Sequence, residues 1–127
     1  MDKKEMQYGF VKKYEILFSG NYEGYNFYIT SMCGRYPCAY VEVKDHLDHH
    51  KIYKKIDCHG CLTYSGNLDH ILGNNDRWFI GWDYGHYGDY VGGSPFNFED
   101  DEKWTTDEIY EEVKEVIKQL KENNYEP

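Results

Sequence analysis

Four cysteines fall into two short-spaced pairs, Cys33-x4-Cys38 in SMCGRYPCAY and Cys58-x2-Cys61 in DCHGC, with nineteen residues between the pairs. A tetrahedral zinc ion is held in this way, because each short loop aims two thiolates at one point and the longer segment brings the pairs together. Gly34, Pro37 and Gly60 lie inside the loops, where glycine lets the backbone curl toward sulfur and proline stiffens the turn. Cys33, Cys38, Cys58 and Cys61 are therefore expected to ligate a structural zinc with no open position, one that contributes to folding and not to catalysis. A mixed Cys/His site and four unrelated buried thiols are the alternatives. Structural disulfides need an oxidising compartment, and nothing in the sequence indicates secretion. A redox pair would open a helix, whereas Leu62-Thr63-Tyr64 after Cys61 reads as strand.

A second set of polar residues lies outside this zinc logic. His59 stands between Cys58 and Cys61, and the stretch WFIGWDYGHYGD sets Asp83, His86 and Asp89 three residues apart on a glycine-rich turn after a strand. Together with His46 these side chains can form a metal or acid–base site, one imidazole ligating or moving a proton and one carboxylate orienting it. The same residue types beside glycine are also ordinary turn formers and strand-end hydrogen bonders. His49, His50 and His70 read as surface residues.

Strands and one helix must position these groups. Tyr14 to Thr30 reads as two aromatic, β-branched runs around a turn at Ser19-Gly20-Asn21, and further strands are expected at Ala39–Lys44, Cys61–Tyr64 and Arg77–Asp83. Asp45 to Lys55 is readable as a short helix or a loop. The density of Gly, Pro, Asn and acids from Tyr84 to Glu102 predicts a long irregular connection, of the kind that carries function more often than not. Thr105 and Glu108 form a capping box, after which Ile109, Val113, Val116, Ile117 and Leu120 recur on one helical face. The expectation is a single α+β domain over residues 1–127, an antiparallel sheet with a long C-terminal helix packed on it.

Aromatic residues make up 18% of the 127, fourteen of them tyrosine, so core and surface are both expected to be built on rings more than on aliphatics. No apolar run approaches the length of a membrane span and the N-terminus has no secretory h-region, which points to a soluble cytoplasmic protein. The net charge of -9 is unevenly placed: residues 58–127 hold fifteen acids against five bases, while the first 57 are nearly balanced. Such a surface repels nucleic-acid phosphates and attracts basic protein clefts. Apart from Lys51, Lys54 and Lys55 there is no concentrated basic face, so direct nucleic-acid binding is not expected.

The segment AYVEVKDHLDHH…DCHGCLTYSG…WFIGWDYGHYGD resembles a group of small proteins from phages and prophages of Gram-positive bacteria, with the pattern HGGLT followed by W-x-IGFD-x-x-H-x-GD. The likeness runs from about Ala39 to Asp89 and rests on His46, His59, Gly60, Leu62, Thr63, Gly81, Asp83, His86, Gly88 and Asp89. It departs at Cys61, where the pattern has glycine, and at Trp82, where it has phenylalanine, so the cysteines read as an addition to the older pattern. With the predicted metal, the chain is similar to the zinc-containing anti-CRISPR proteins of streptococcal type II-A systems. That resemblance implies a phage-encoded, non-enzymatic, monomeric inhibitor in the cytoplasm of an infected bacterial cell, one that binds the RNA-guided DNA nuclease and blocks target DNA loading. Its acidic contacts would be Glu99, Asp100, Asp101 and Glu102 with Asp107, Glu108, Glu111, Glu112 and Glu115 of the helix, and Tyr84, Tyr87, Tyr90, Phe96 and Phe98 would be its anchors. The alternative is a metal-dependent hydrolase built on the His/Asp set.

Overall fold

The computed structural model describes residues 2–9 and 13–127. Its frame is a five-stranded, wholly antiparallel sheet of β1 (Glu15–Tyr22), β2 (Tyr25–Met32), β3 (Tyr36–Glu42), β4 (Tyr64–Gly66) and β5 (Phe79–Asp83), in the spatial order β1-β2-β3-β5-β4. Two one-turn helices, α1 (His49–Ile52) and α2 (Asp69–Leu72), sit in the connections, and α3 (Thr106–Glu122) closes the chain. The α+β architecture and the packed C-terminal helix agree with the sequence reading.

Strand alternation splits the side chains into two layers. Leu17, Phe27, Ile29, Ala39, Val41, Ile80 and Trp82 point to one face, where Ile109, Val113, Val116, Ile117 and Leu120 of α3 cover them. Burying each such side chain contributes about 2 kcal/mol before entropy is counted. Cys38, Tyr40 and Phe79 point to the opposite face, under Leu68, Ile71 and Leu72 and beside Tyr28, Tyr36 and Tyr64. The helix begins as expected: the Thr105 hydroxyl accepts from the Glu108 amide, and the Glu108 carboxylate accepts from the Thr105 amide.

The first hairpin turns three to four residues later than the glycine signal at Gly20 suggests. Ser19, Gly20 and Asn21 are all within β1, and the turn is Glu23-Gly24, both at positive φ, between the paired Tyr22 and Tyr25. Such a turn matches the twist of the strands it joins. Gly20 is tolerated in the strand because the ring of its cross-strand partner Phe27 lies over it, and Asn21 serves the turn from outside by accepting from the Gly24 amide. β3 begins earlier than expected, at Tyr36, so Cys38 is a strand residue. β4 begins at Tyr64, leaving Cys61 in the preceding loop. No described helix is long and apolar enough to cross a membrane.

Candidate functional site

Three segments meet at the end of β5: the loop before β4, the irregular connection 84–105, and the first turns of α3. Asp89 is the centre. Its side chain is only 2% exposed, yet it accepts from His59 Nε2 at 2.8 Å, from Trp104 Nε1 at 2.8 Å and from the His86 amide at 3.0 Å. Three N–H donors satisfy this buried carboxylate, and among the described residues no lysine or arginine is paired with it. An ionised carboxylate only accepts, so Nε2 of His59 carries the hydrogen of this contact.

Stacking and a second carboxylate fix the histidine further. The His59 ring lies on Tyr84 at 4.7 Å and 12°, with Trp104 edge-on at 5.0 Å. Behind them Glu112 accepts from the Tyr84 hydroxyl, from Trp82 Nε1 at 3.1 Å and from the His59 amide at 3.2 Å. Burial, reinforced by the hydrogen bond to Glu112, pushes the Tyr84 phenol far above its ordinary value, so it stays a donor.

His86 completes the cluster. Its Nε2 is 3.2 Å from Asp83 Oδ1 and buried, but not aligned for a hydrogen bond; Asp83 is already engaged by the Thr63 hydroxyl at 3.1 Å and the Gly85 amide at 3.0 Å. Gly60 makes room for this ring. It has φ +66, and a Cβ there would stand 2.3 Å from His86 Cδ2 and Nε2. The rings of His59 and His86 are 6.0 Å apart. Thus His59, Asp83, His86 and Asp89 converge, as do most of the residues on which the resemblance rests. His46 does not: it stacks on Trp78 at 4.3 Å, on a different part of the molecule.

The cluster opens on one side into a cleft of about 210 Å³ lined by His86, Asp89, Phe96, Phe98 and Asp101 among others. Around it Tyr87 is 93% exposed, Phe96 83% and Phe98 58%. Glu99, Asp100 and Glu102 are exposed beside them, as are Asp107, Glu108, Glu111 and Glu115 on α3. Asp101 is half-buried and accepts from the Phe98 amide at 2.6 Å. Three of the residues expected on the outer surface are turned inward, Tyr84 fully buried and Glu112 and Tyr90 half-buried. Glu112 faces the tyrosine and tryptophan of the cluster, Tyr84 is in the core, and Tyr90 packs edge-on against Tyr8. The helical spacing alone gave no reason to turn Glu112 inward, and nothing but an aromatic just before the helix cap marked Trp104.

The cysteines are placed differently from the zinc expectation. Zinc–sulfur bonds of about 2.3 Å require tetrahedral thiolates roughly 3.8 Å apart. Cys38 points to the α2 face of the sheet and Cys58 packs on the α3 side. Cys33 sits at φ +53 in the β2–β3 turn, and Cys61 is exposed at φ +67 in a turn where its amide donates to the Cys58 carbonyl. All four are free thiols, and no three of their sulfurs fall within 4.8 Å of one another; among the described residues that spacing is met by Asp48, His49 and His50. In this arrangement the four cysteines do not fit one tetrathiolate site, because β-strand alternation sends Cys38 away from Cys58.

Comparison with protein-family models, with curated proteins and with solved structures found no match to this chain.

Proposed function

We propose that this chain acts by stoichiometric binding, docking the acidic, aromatic face around its cleft onto a basic protein surface. The observation that carries the reading is the exposure of Tyr87, Phe96 and Phe98 on one irregular segment, flanked by Glu99, Asp100 and Glu102. Each ring, once buried in a partner, is worth about 2 kcal/mol, and rings of this kind are the usual anchors of an interface. The surrounding charge speeds encounter with a basic partner and repels nucleic acid. From the resemblance, the partner to test is the type II-A RNA-guided nuclease, whose basic channels hold guide and target through backbone contacts. Size-exclusion chromatography of the nuclease–guide complex with this protein should give a stoichiometric assembly that weakens as salt rises and that no longer loads target DNA. Separate elution at low salt would end the reading.

A second reading is favoured by His86, which lines the cleft with Asp83 3.2 Å behind its Nε2. A small rotation of the ring would align Nε2 with this carboxylate and leave Nδ1 as the proton acceptor, so the cleft can support hydrolysis with His86 as general base and water as nucleophile. The two readings part on stoichiometry. Inhibition at protein levels well below those of the target, abolished by His86→Ala in a folded protein, would favour turnover over docking.

A further inference from the structure

We propose that Asp48, His49 and His50 form a site for a divalent transition metal of the zinc, cobalt and nickel class, separate from the cysteines and from the Asp89 cluster. One ligand atom of each residue lies within 4.8 Å of the others, close enough to share one ion after small rotations. Two imidazoles and a carboxylate are the donor set that such borderline cations favour, and three protein ligands leave a further position for water or a partner's side chain.

The ring of His49 is held from outside. Its Nδ1 lies 2.8 Å from Ser65 Oγ, and the same oxygen accepts from the His49 amide at 3.2 Å, tying the ligand segment to β4. That contact leaves Nε2 for a metal and lets the hydroxyl accept the Nδ1–H that metal binding requires, the outer-shell arrangement seen behind most ligating histidines. The His50 ring is 4.0 Å from that of His49, so the two already share a side. Asp48 accepts from the His50 amide through Oδ1 at 3.0 Å, which fixes the carboxylate and keeps Oδ2 available. The two histidines line a shallow groove of about 510 Å³ with Tyr53, Leu62 and Thr63, which gives the ion access from solvent. The net charge of -9 raises the local concentration of cations around the chain.

The test is titration of the chelator-stripped full chain with Co2+ and Zn2+, followed by isothermal calorimetry and by the cobalt absorption spectrum. One ion per chain is expected, with a nitrogen and oxygen ligand field and no thiolate charge-transfer band. His49→Ala/His50→Ala should weaken binding at least tenfold, and Ser65→Ala about tenfold through loss of the outer contact. His50 is exposed while His49 and Ser65 are half-buried, so circular dichroism of each variant checks that the fold is kept. A thiolate charge-transfer band in the wild-type cobalt protein, binding unchanged in the double histidine variant, or no binding would each overturn the proposal.

Discussion

His59 and Asp89, thirty residues apart in sequence, meet at 2.8 Å with the aspartate side chain only 2% exposed. The pair ties the loop before β4 to the irregular connection after β5, and Trp104 adds the approach to α3. Asp89→Ala would leave two side-chain donors and an amide without their acceptor in a buried place, at a cost of about 3 kcal/mol. Asp89→Asn keeps one acceptor oxygen and should cost less. Urea unfolding of both variants checks the order; equal stability of Asp89→Ala and wild type would remove Asp89 from the centre of this site.

Gly60 answers to the same cluster. Gly60→Ala combines a left-handed backbone with a Cβ 2.3 Å from the His86 ring, so a loss of about 2 kcal/mol is expected together with a shift of the His86 ring resonances. Gly73 is a built-in control. It also has positive φ but open space around its Cβ, so Gly73→Ala should show only the backbone strain and leave His86 unmoved.

The thiols should react in a set order. Cys61 is exposed and is expected to be labelled first by a disulfide reagent, whereas Cys38 should react only after unfolding. Burial pushes the Cys38 thiol up to about 12, and burial together with Glu112 also raises that of Cys58. A raised acid stabilises the fold while it stays protonated. The contribution is therefore complete below the ordinary thiol value of 9.0 and is lost as pH rises toward 12. Stability of Cys38→Ala should fall less steeply than wild type over that alkaline range.

The ion pair of Glu42 and Arg77 gives the opposite slope. Hydrogen bonds from Arg77, at 2.7 and 3.1 Å, hold the Glu42 carboxyl below its usual value. Its contribution is present above the ordinary carboxylate range and disappears as pH falls through the lowered value. Arg77→Ala should cost about 1 kcal/mol at neutral pH, for a pair that is partly exposed, and much less in acid strong enough to protonate Glu42 in the folded state. Unfolding curves at the two pH values measure the difference.

The docking face predicts stability and affinity moving independently. Phe96→Ala removes a ring that is 83% exposed, so the free protein should change by less than about 0.5 kcal/mol. On the proposed docking, affinity for the nuclease complex should fall by about 2 kcal/mol, roughly thirtyfold. Glu99→Lys/Asp100→Lys should act chiefly on the association rate and flatten its salt dependence. Surface plasmon resonance at two ionic strengths separates these effects.

The sequence determined what depends on near neighbours. The capping box and the five apolar positions of α3 are local signals, and the helix forms where they say. The acidic second half is composition and survives any folding, but the ring-rich core expected from composition does not form: Leu, Ile and Val outnumber the buried rings, and most tyrosines stay at or near the surface. It also named His59, Asp83, His86 and Asp89, because strand-end turns concentrate such residues. Tertiary structure decided which of them meet. His46 carries the same chemistry but is captured by Trp78, while Trp104 and Glu112 join the cluster because the helix packed on β1 to β3 brings Glu112 to Trp82 of β5 and its approach brings Trp104 to Asp89. Cysteine spacing suggested one centre, whereas where each thiol points is a matter of strand alternation: a residue one place along β3 changes face, and Cys38 lies with Tyr36 and Tyr40, away from the helix side where Cys58 packs.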